Sequence, residues 1–455
     1  MKILQHCRLN PGRIGRGIVL VMGVCAFVMV QVNGVAAEGR PRVIVTTDGE
    51  GDDQCSMVRF LLYANDFDVQ GIVITSSKHH WKGDGATAGY KWLGTDWLDG
   101  QLNAYAQVYP QLKQHDPAYP SPDYLKSNVY MGNILLEGDM REVTSGSEHI
   151  VRILLQSDST PVWLQAWGGP NTIARALKTI QEQHPERMAE VSKKARIFLI
   201  AQQDQTYTDY IQKEWPGITT LWSDYNSYGG LSYRWYNFQT DEMLRYFESD
   251  WLMSNILEKH GPLTALYPLK KGKYRSEGDS PTFLHLINTG LRSHENPAWG
   301  GWGGRFKPYE GMLWRSVDQE GVEPHSILRW VIEIQNDWAA RADWCVKKFE
   351  QTNHPPRVVL DHDADLTARP GQHLSLGAKA TRDPDGDALD FQWWHYAAAG
   401  TYGKVLVLEK PASTECSVVV PEDARPGDTL HFVCTVTDDG APPLTRYARV
   451  VITVD

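Results

Sequence analysis

The chain has 455 residues, 42% hydrophobic and 22% charged, which is more than one hydrophobic core usually serves and excludes a disordered polypeptide. A net charge of −10 without a long basic run argues against nucleic acid as a partner. Seventeen Trp and twenty Tyr bury area for the most part, but such rings also stack on the flat apolar faces of sugars.

Residues 1–37 read as an export signal. Arg8, Arg13 and Arg16 precede an apolar run from Gly17 to Val32, and Val35-Ala36-Ala37 supplies small residues for cleavage. The run is short against the roughly 20 residues of a membrane span. The alternatives are an uncleaved anchor or a lipoprotein cut at Cys25, for which Met22-Gly23-Val24 is a poor lead-in. No later stretch is apolar enough to span a membrane. Cleavage after Ala37 leaves Cys55, Cys345, Cys416 and Cys434, too scattered for a disulfide scaffold.

From Arg42 short β-rich runs alternate with helical stretches. Val43 to Thr47 is a strand, Asp52 to Ala64 a helix and Val69 to Thr75 the next strand, a βαβ opening. The rhythm returns with a strand at Pro161–Ala166, a helix at Pro170–Gln183 with Pro near its start, and a strand at Ala195–Ala201. A short helix at Tyr207–Glu214 and a strand at Ile218–Trp222 follow. This predicts an α/β domain over 38–350 with a mostly parallel sheet covered on both faces. Residues 230–350 are less regular and carry the loop Trp299-Gly300-Gly301-Trp302-Gly303-Gly304. Composition changes at Thr352-Asn353-His354-Pro355-Pro356, a linker. Beyond it, short β runs at Leu374–Leu376, Phe391–Trp394, Val405–Leu408, Ser417–Val420, Phe432–Val436 and Val450–Val454 predict an all-β, immunoglobulin-like sandwich over 355–455.

The chemistry concentrates in Asp48-Gly49-Glu50-Gly51-Asp52-Asp53. Asp48 sits at the carboxyl end of the first strand, where open parallel sheets bind ligands. Asp52 and Asp53 stand where the next helix begins. Asp52 could simply cap that helix. So many carboxylates in six residues exceed what a cap needs, and Gly49 and Gly51 let the backbone aim them at one point. Clustered hard oxygens suit Ca2+ or Mg2+, with Ca2+ favoured for its tolerance of irregular shells.

Thr46-Thr47-Asp48-Gly49-Glu50-Gly51-Asp52-Asp53 resembles the Asp-x-Asp-Pro-Gly-x-Asp-Asp signature of nucleoside hydrolases. Ala166-Trp167-Gly168-Gly169-Pro170-Asn171-Thr172-Ile173-Ala174 resembles that family's Thr-Gly-Gly-Leu-Thr-Asn-Ile-Ala turn, and Ser223-Asp224-Tyr225-Asn226 its Ala-Glu-Phe-Asn segment. Glu277-Gly278-Asp279 stands at the place of its late His-Asp pair. The whole layout looks like bacterial "cellulose-binding" proteins that join a nucleoside-hydrolase-like domain to a β-sandwich. The resemblance implies that Asp48, Asp52, Asp53, Asp279 and the Trp167 carbonyl hold Ca2+. It also implies that Asp48 is the base for a water, and that Asp224 and Asn226 hold sugar hydroxyls. Three departures stand out: Thr46 replaces the first family Asp, Gly49-Glu50 the Pro-Gly, and Gly278 the His associated with leaving-group protonation. Glu277, His79, His80 or His294 could substitute for that His.

Lys78-His79-His80-Trp81 follows the second strand and either faces the pocket or is an ordinary loop. The loop from His294 to Trp302 offers sugar platforms or a packing corner. Gln202-Gln203-Asp204-Gln205 could line the same cleft. Asp383-Pro384-Asp385-Gly386-Asp387 is a turn by composition that could also take Ca2+. Trp393 and Trp394 should face core and solvent in turn, and Cys416 could pair with Cys434. The expectation is an exported, Ca2+-dependent hydrolase of glycosyl bonds acting on a carbohydrate or nucleoside-like molecule. The rivals are a non-catalytic carbohydrate-binding protein and an adhesion or structural protein. A homo-oligomer is compatible with all of them.

Overall fold

Six β-branched or long residues in a row, Arg42–Thr47, form strand β1, buried along its full length at the centre of the molecule. The computed structural model describes residues 39–320 and 326–455; the predicted export signal lies outside them. Among the described residues no helix is long and apolar enough to cross a membrane. The remaining strands of the first region are β2 (Asp68–Ile74), β3 (Trp81–Gly83), β4 (Ala88–Tyr90), β5 (Val129–Met131), β6 (Val162–Ala166), β7 (Ala195–Ile200), β8 (Thr219–Ser223), β9 (Phe306–Glu310) and β10 (Leu313–Ser316). All but the β3–β4 hairpin join one sheet in the order β5-β2-β1-β6-β7-β8-β10-β9. Its pairings are parallel except for β9 against β10.

Helices cover both faces. Helix α1 (Gly51–Leu62) returns the chain from β1 to β2 and buries Met57, Phe60 and Leu61 with α2 (Asp96–His115) in one core. α3 is Pro122–Ser127. On the other face, α4 (Ser145–Leu154) and α5 (Asn171–Gln183) bury Ile150, Ile153, Ile173, Leu177 and Ile180 against Ile44, Leu164 and Ile197. A capping box closes the start of α4: Thr144 and Ser147 exchange side-chain and backbone hydrogen bonds there. Strand order reverses between β2 and β6 on either side of β1. That is the switch point, and the acidic turn and the 167–169 turn both leave the sheet there.

The C-terminal strands are β11 (Asp365–Ala368), β12 (His373–Gly377), β13 (Leu389–His395), β14 (Glu415–Val419), β15 (Thr429–Asp438) and β16 (Thr445–Val454). A sheet ordered β11-β16-β15-β13 faces the pair β12-β14 across a core of Leu376, Trp393, Val418, Phe432 and Val450. Three expectations are corrected. Val405–Leu408 forms no strand: the run alternates as a strand would, but its neighbourhood offers only an isolated bridge from Glu409 to Ser417, and Val405 and Val407 lie exposed. Trp394 is half-buried rather than turned out to solvent; it packs on Trp330 and Tyr396 and donates to Thr435. Cys416 and Cys434 are buried free thiols, as are Cys55 and Cys345.

The two parts are joined by more than the linker, and Arg40–Asp455 make one compact unit. Tyr447 N–H donates to the Thr289 carbonyl at 2.8 Å, and the Arg449 guanidinium donates to the carbonyls of Leu291, Trp299 and Gly300. Arg446 pairs with Asp337 of the helix Val331–Trp344 at 2.8 Å, and Arg341 pairs with the same carboxylate at 3.0 Å. Gly290 is held at φ +91° against the Tyr447 carbonyl, a close approach that only glycine allows. The glycine- and Trp-rich loop serves this seam. Trp302 is fully buried and Trp299 lies edge-on to His431. Packing, not a sugar platform, accounts for it.

Candidate functional site

The chain leaves β1 at Thr47 and must reverse into α1 within a few residues. Gly49 makes this reversal, with φ +77° and the Trp97 indole so close that a Cβ would sit 2.7 Å from its nitrogen. Thr47 and the backbone of the turn then clasp Asp53: its Oδ1 accepts from Thr47 Oγ1 at 2.5 Å and from Asp48 N at 3.1 Å. Asp48 Oδ1 accepts from Glu50 N at 3.0 Å, and its Oδ2 is buried without a hydrogen-bond partner. The N-cap of α1 is Glu50, with no side-chain cap, so Asp52 does not cap the helix. It lies within the first turn, where the helix dipole favours its charge.

Asp279, 226 residues beyond Asp53 in sequence, arrives beside it. One oxygen from each of Asp52, Asp53 and Asp279 lies within 4.8 Å of the others. Asp279 Oδ2 is also buried and unpartnered. Burial and the neighbouring charges of Glu50 and Asp48 push Asp52 up to about 7. Burial, then Asp48 and Asp52, raises Asp53 well above the carboxylate range; burial, then Asp53 and Asp52, does the same for Asp279. Such a cluster holds either protons or a cation. Oxygens within 4.8 Å of one another can share one Ca2+ ion at about 2.3–2.6 Å. The two orphaned oxygens and the all-oxygen donor set fit a hard divalent ion. The Trp167 carbonyl, expected among the ligands, accepts a hydrogen bond from the Gln203 amide, and a carbonyl oxygen keeps a second lone pair. The Trp167 indole is core, donating to Thr282 at 2.8 Å.

A second group adjoins the first. His80 Nδ1, buried and unpartnered, is 3.8 Å from Asp48 Oδ2 and 3.9 Å from Glu50 Oε2. The turn Ser77–His80 at the end of β2 holds it through reciprocal backbone bonds. His79 points outward and is exposed. Trp81 stacks on Tyr90 at 4.8 Å in the β3–β4 hairpin, a half-exposed aromatic ledge.

The other expected site residues fare differently. Asp224 follows β8, but its carboxylate is clasped by Arg315 at 2.7 and 3.1 Å, so it is not free to hold sugar hydroxyls alone. Asn226 is exposed next to it. Glu277 is removed from the list of acids: it is wholly buried, 2.5 Å from Arg59, and accepts from Tyr267 and Ser280. His294 belongs to the loop that follows His285. It lies within electrostatic reach of His285, which packs on Trp163 near the amino end of β6. Arg292 in the same loop pairs with Asp365 of the C-terminal sheet.

Sequence reasoning missed several participants. The Tyr233 hydroxyl lies 3.0 Å from Glu50 Oε1 and 3.1 Å from Asp52 Oδ1, tying the two carboxylates together. Arg275 lies over Gly51, where a Cβ would meet its guanidinium at 2.1 Å. Gly278 faces Asp52, Ser232 and Tyr228, and a Cβ there would come 2.9 Å from Asp52 Oδ2. No local pattern marked Tyr233 or Arg275. Of the Gln202–Gln205 stretch, Gln203 reaches the Trp167 carbonyl, while buried Asp204 packs under Gly169 and binds Thr206.

Residues 42–306 match the family model described as "Cellulose-binding Sde182, nucleoside hydrolase-like domain". Residues 373–454 match that of "Cellulose-binding protein Sde0182, C-terminal domain". Among solved structures, the chain is similar to a nucleoside hydrolase-related hypothetical protein from Saccharophagus degradans that is associated with carbohydrate metabolism. That likeness has 32% identity and a TM-score of 0.76, over 92% of this chain and 100% of the other. A plant nucleoside hydrolase, PpNRh1, matches at 12% identity and TM-score 0.35, over 66% of this chain and 99% of that one. An inosine-guanosine nucleoside hydrolase matches at 10% and 0.34, over 68% and 98%. These last two carry no argument at such scores. No curated protein matches.

Proposed function

Because the chain belongs to the Sde182 family of cellulose-binding proteins with a nucleoside-hydrolase-like domain, we propose that it is an exported, Ca2+-dependent hydrolase of glycosyl bonds on a sugar-containing substrate. The observation that carries this reading is the convergence of Asp48, Asp52, Asp53 and Asp279 at the switch point of the sheet. Asp52, Asp53 and Asp279 would hold the ion, with Asp48 beside them. When bound, Ca2+ supplies a positive charge that orients a water and lowers its pKa. Asp48, whose Oδ2 is buried and unpartnered, would be the base that accepts a proton from a water there. The carboxylate cluster favours the positive, oxocarbenium-like sugar that forms as the C–N or C–O bond breaks.

With Glu277 locked to Arg59, His80, beside Asp48 and Glu50, is in position to carry a proton to the departing group. Trp81 and Tyr90 form a ledge on which a sugar ring can stack. Export rests on the charged, apolar and small-residue pattern of residues 1–37.

A second reading is a non-catalytic carbohydrate-binding protein on the same scaffold. It is favoured by Gly278, which offers no imidazole, and by the Arg315 clasp on Asp224. A screen of nucleosides and plant-wall oligosaccharides, with and without Ca2+, separates the two. Turnover that Asp48→Ala lowers by about 10²–10⁴-fold supports hydrolysis. Oligosaccharide retention without turnover in the wild type selects binding.

A further inference from the structure

The turn Asp383-Pro384-Asp385-Gly386-Asp387, between β12 and β13, lies far along the chain from the acidic turn. One carboxylate oxygen from each of Asp383, Asp385 and Asp387 lies within 4.8 Å of the others. Asp383 Oδ1 accepts from the backbone N–H groups of Asp385 at 2.8 Å and Asp387 at 3.1 Å, but its Oδ2 is buried with no partner. A cluster of this kind on a turn is common and by itself argues nothing.

The independent observation comes from a different strand. Asp438, at the end of β15, is 3% exposed. Its Oδ1 is saturated by Asn353 Nδ2, Gly440 N and Leu444 N, whereas its Oδ2 is buried and unpartnered. The register brings it to the turn. Asp438 pairs with Leu389, and the adjacent Asp439 exchanges backbone and side-chain hydrogen bonds with Ala388. Burial raises the Asp438 carboxyl to about 6, and the charge of Asp383 adds to the rise, which places the two within electrostatic reach. Asn353 is 5% exposed, and its Oδ1 is likewise buried without a donor. It lines one cavity with Asp385, Asp387 and Gly440.

Orphaned, buried acceptor oxygens on Asp383, Asp438 and Asn353 thus belong to three segments that the β13–β15 register and a shared cavity bring near one another. An unmade bond at a buried acceptor is costly, and an acceptor-only donor set is what a hard cation satisfies. We propose that Asp383, Asp385, Asp387, Asp438 and Asn353 form a second divalent-cation site, selective for Ca2+, which ties the linker to the C-terminal sheet. A donor set made only of carboxylate and amide oxygens suits Ca2+, which accepts 6–8 oxygens in irregular shells; Mg2+ demands near-octahedral geometry and retains its waters. Asp385 already accepts from His354 N at 2.7 Å, and ionised carboxylates keep further lone pairs for an ion. The ion would thereby join Asn353 and His354, on the linker, to the turn and to β15.

The test is calorimetric titration of Ca2+ into the chelator-treated full chain. Asp383→Asn and Asp387→Asn, both near-isosteric, are each expected to bind one equivalent fewer than wild type. Asp52→Asn should lose a different equivalent, so that the double variant Asp52→Asn/Asp387→Asn loses both. An unchanged count in Asp383→Asn and Asp387→Asn overturns the second site. Should either variant fail to fold, Asp52→Asn alone decides: one retained equivalent supports the site, and none overturns it. Loss only in the Asp387→Asn arm would leave this site standing and count against the ion at the acidic turn.

Discussion

Glu277 immediately precedes Gly278 and Asp279, so whether its carboxylate is structural or chemical decides how the site is read. Both it and Arg59 are completely buried, with Arg59 Nε 2.5 Å and Nη2 3.0 Å from its two oxygens. Tyr267 at 2.8 Å and Ser280 at 2.7 Å complete its coordination, and Arg59 stacks over Trp338 at 4.0 Å. Glu277→Ala leaves the guanidinium buried and unpaired, which costs about 3–5 kcal/mol. Glu277→Gln retains an oxygen and costs less, about 1.5–3 kcal/mol for the lost charge-assisted bonds. Replacing both partners, as Arg59→Met/Glu277→Leu, should recover much of the loss, because a buried pair is worth little against an apolar one of similar volume. The assay is equilibrium unfolding in urea for wild type, both single variants and the double, read as a cycle. Folded Glu277→Gln should keep any turnover within a few-fold. A cost below about 1 kcal/mol for Glu277→Ala would refute the locked pair, since exposed pairs have that size. Glu277 would then rejoin the candidate acids.

Three further outcomes are expected. Asp337 is held at about 2: burial opposes this, but Arg446 and Arg341 outweigh it. Because its folded pKa is depressed, its contribution is fully present above the unfolded value near 4. It is lost as pH falls from about 4 to 2, and amounts to about 2 kcal/mol; unfolding of wild type and Asp337→Asn compared at pH 6 and pH 3 measures it. Tyr233→Phe removes the hydroxyl that ties Glu50 to Asp52 and should weaken Ca2+ binding by about 10–100-fold with little change in melting temperature, as calorimetry would show. Gly278→His should not restore purine-nucleoside hydrolysis; its Cβ would press on Asp52 Oδ2, so Ca2+ affinity should fall by about tenfold or more instead.

The parallel sheet was legible because its strands are buried on both faces and so read as continuous apolar runs, as in β1 and β7. Asp48, Asp52 and Asp53 were legible because the turn places them together in sequence, and Asp279 only through a resemblance. What stayed hidden depends on partners distant in the chain. Nothing near Glu277 announces Arg59, nor near Glu50 announces Tyr233. Nothing near Asp224 announces Arg315. Val405–Leu408 carries a strand's alternation without a neighbouring edge to pair with, and Trp394 lies against a surface that the C-terminal region alone does not contain. Local patterns give side-chain chemistry and periodicity; they do not say which surfaces meet.

The seam through Tyr447, Arg449 and Arg446 changes what the C-terminal sheet can do for the molecule. Carbohydrate-binding modules on leashes raise the local concentration of polymer by exploring a sphere whose radius is the length of the tether. Here the β16 backbone is bonded to the 289–290 segment and its arginines are sunk into the neighbouring part. A polysaccharide gripped by that sheet would meet the acidic turn at one set distance and angle, as work is presented to a tool by a fixed jig.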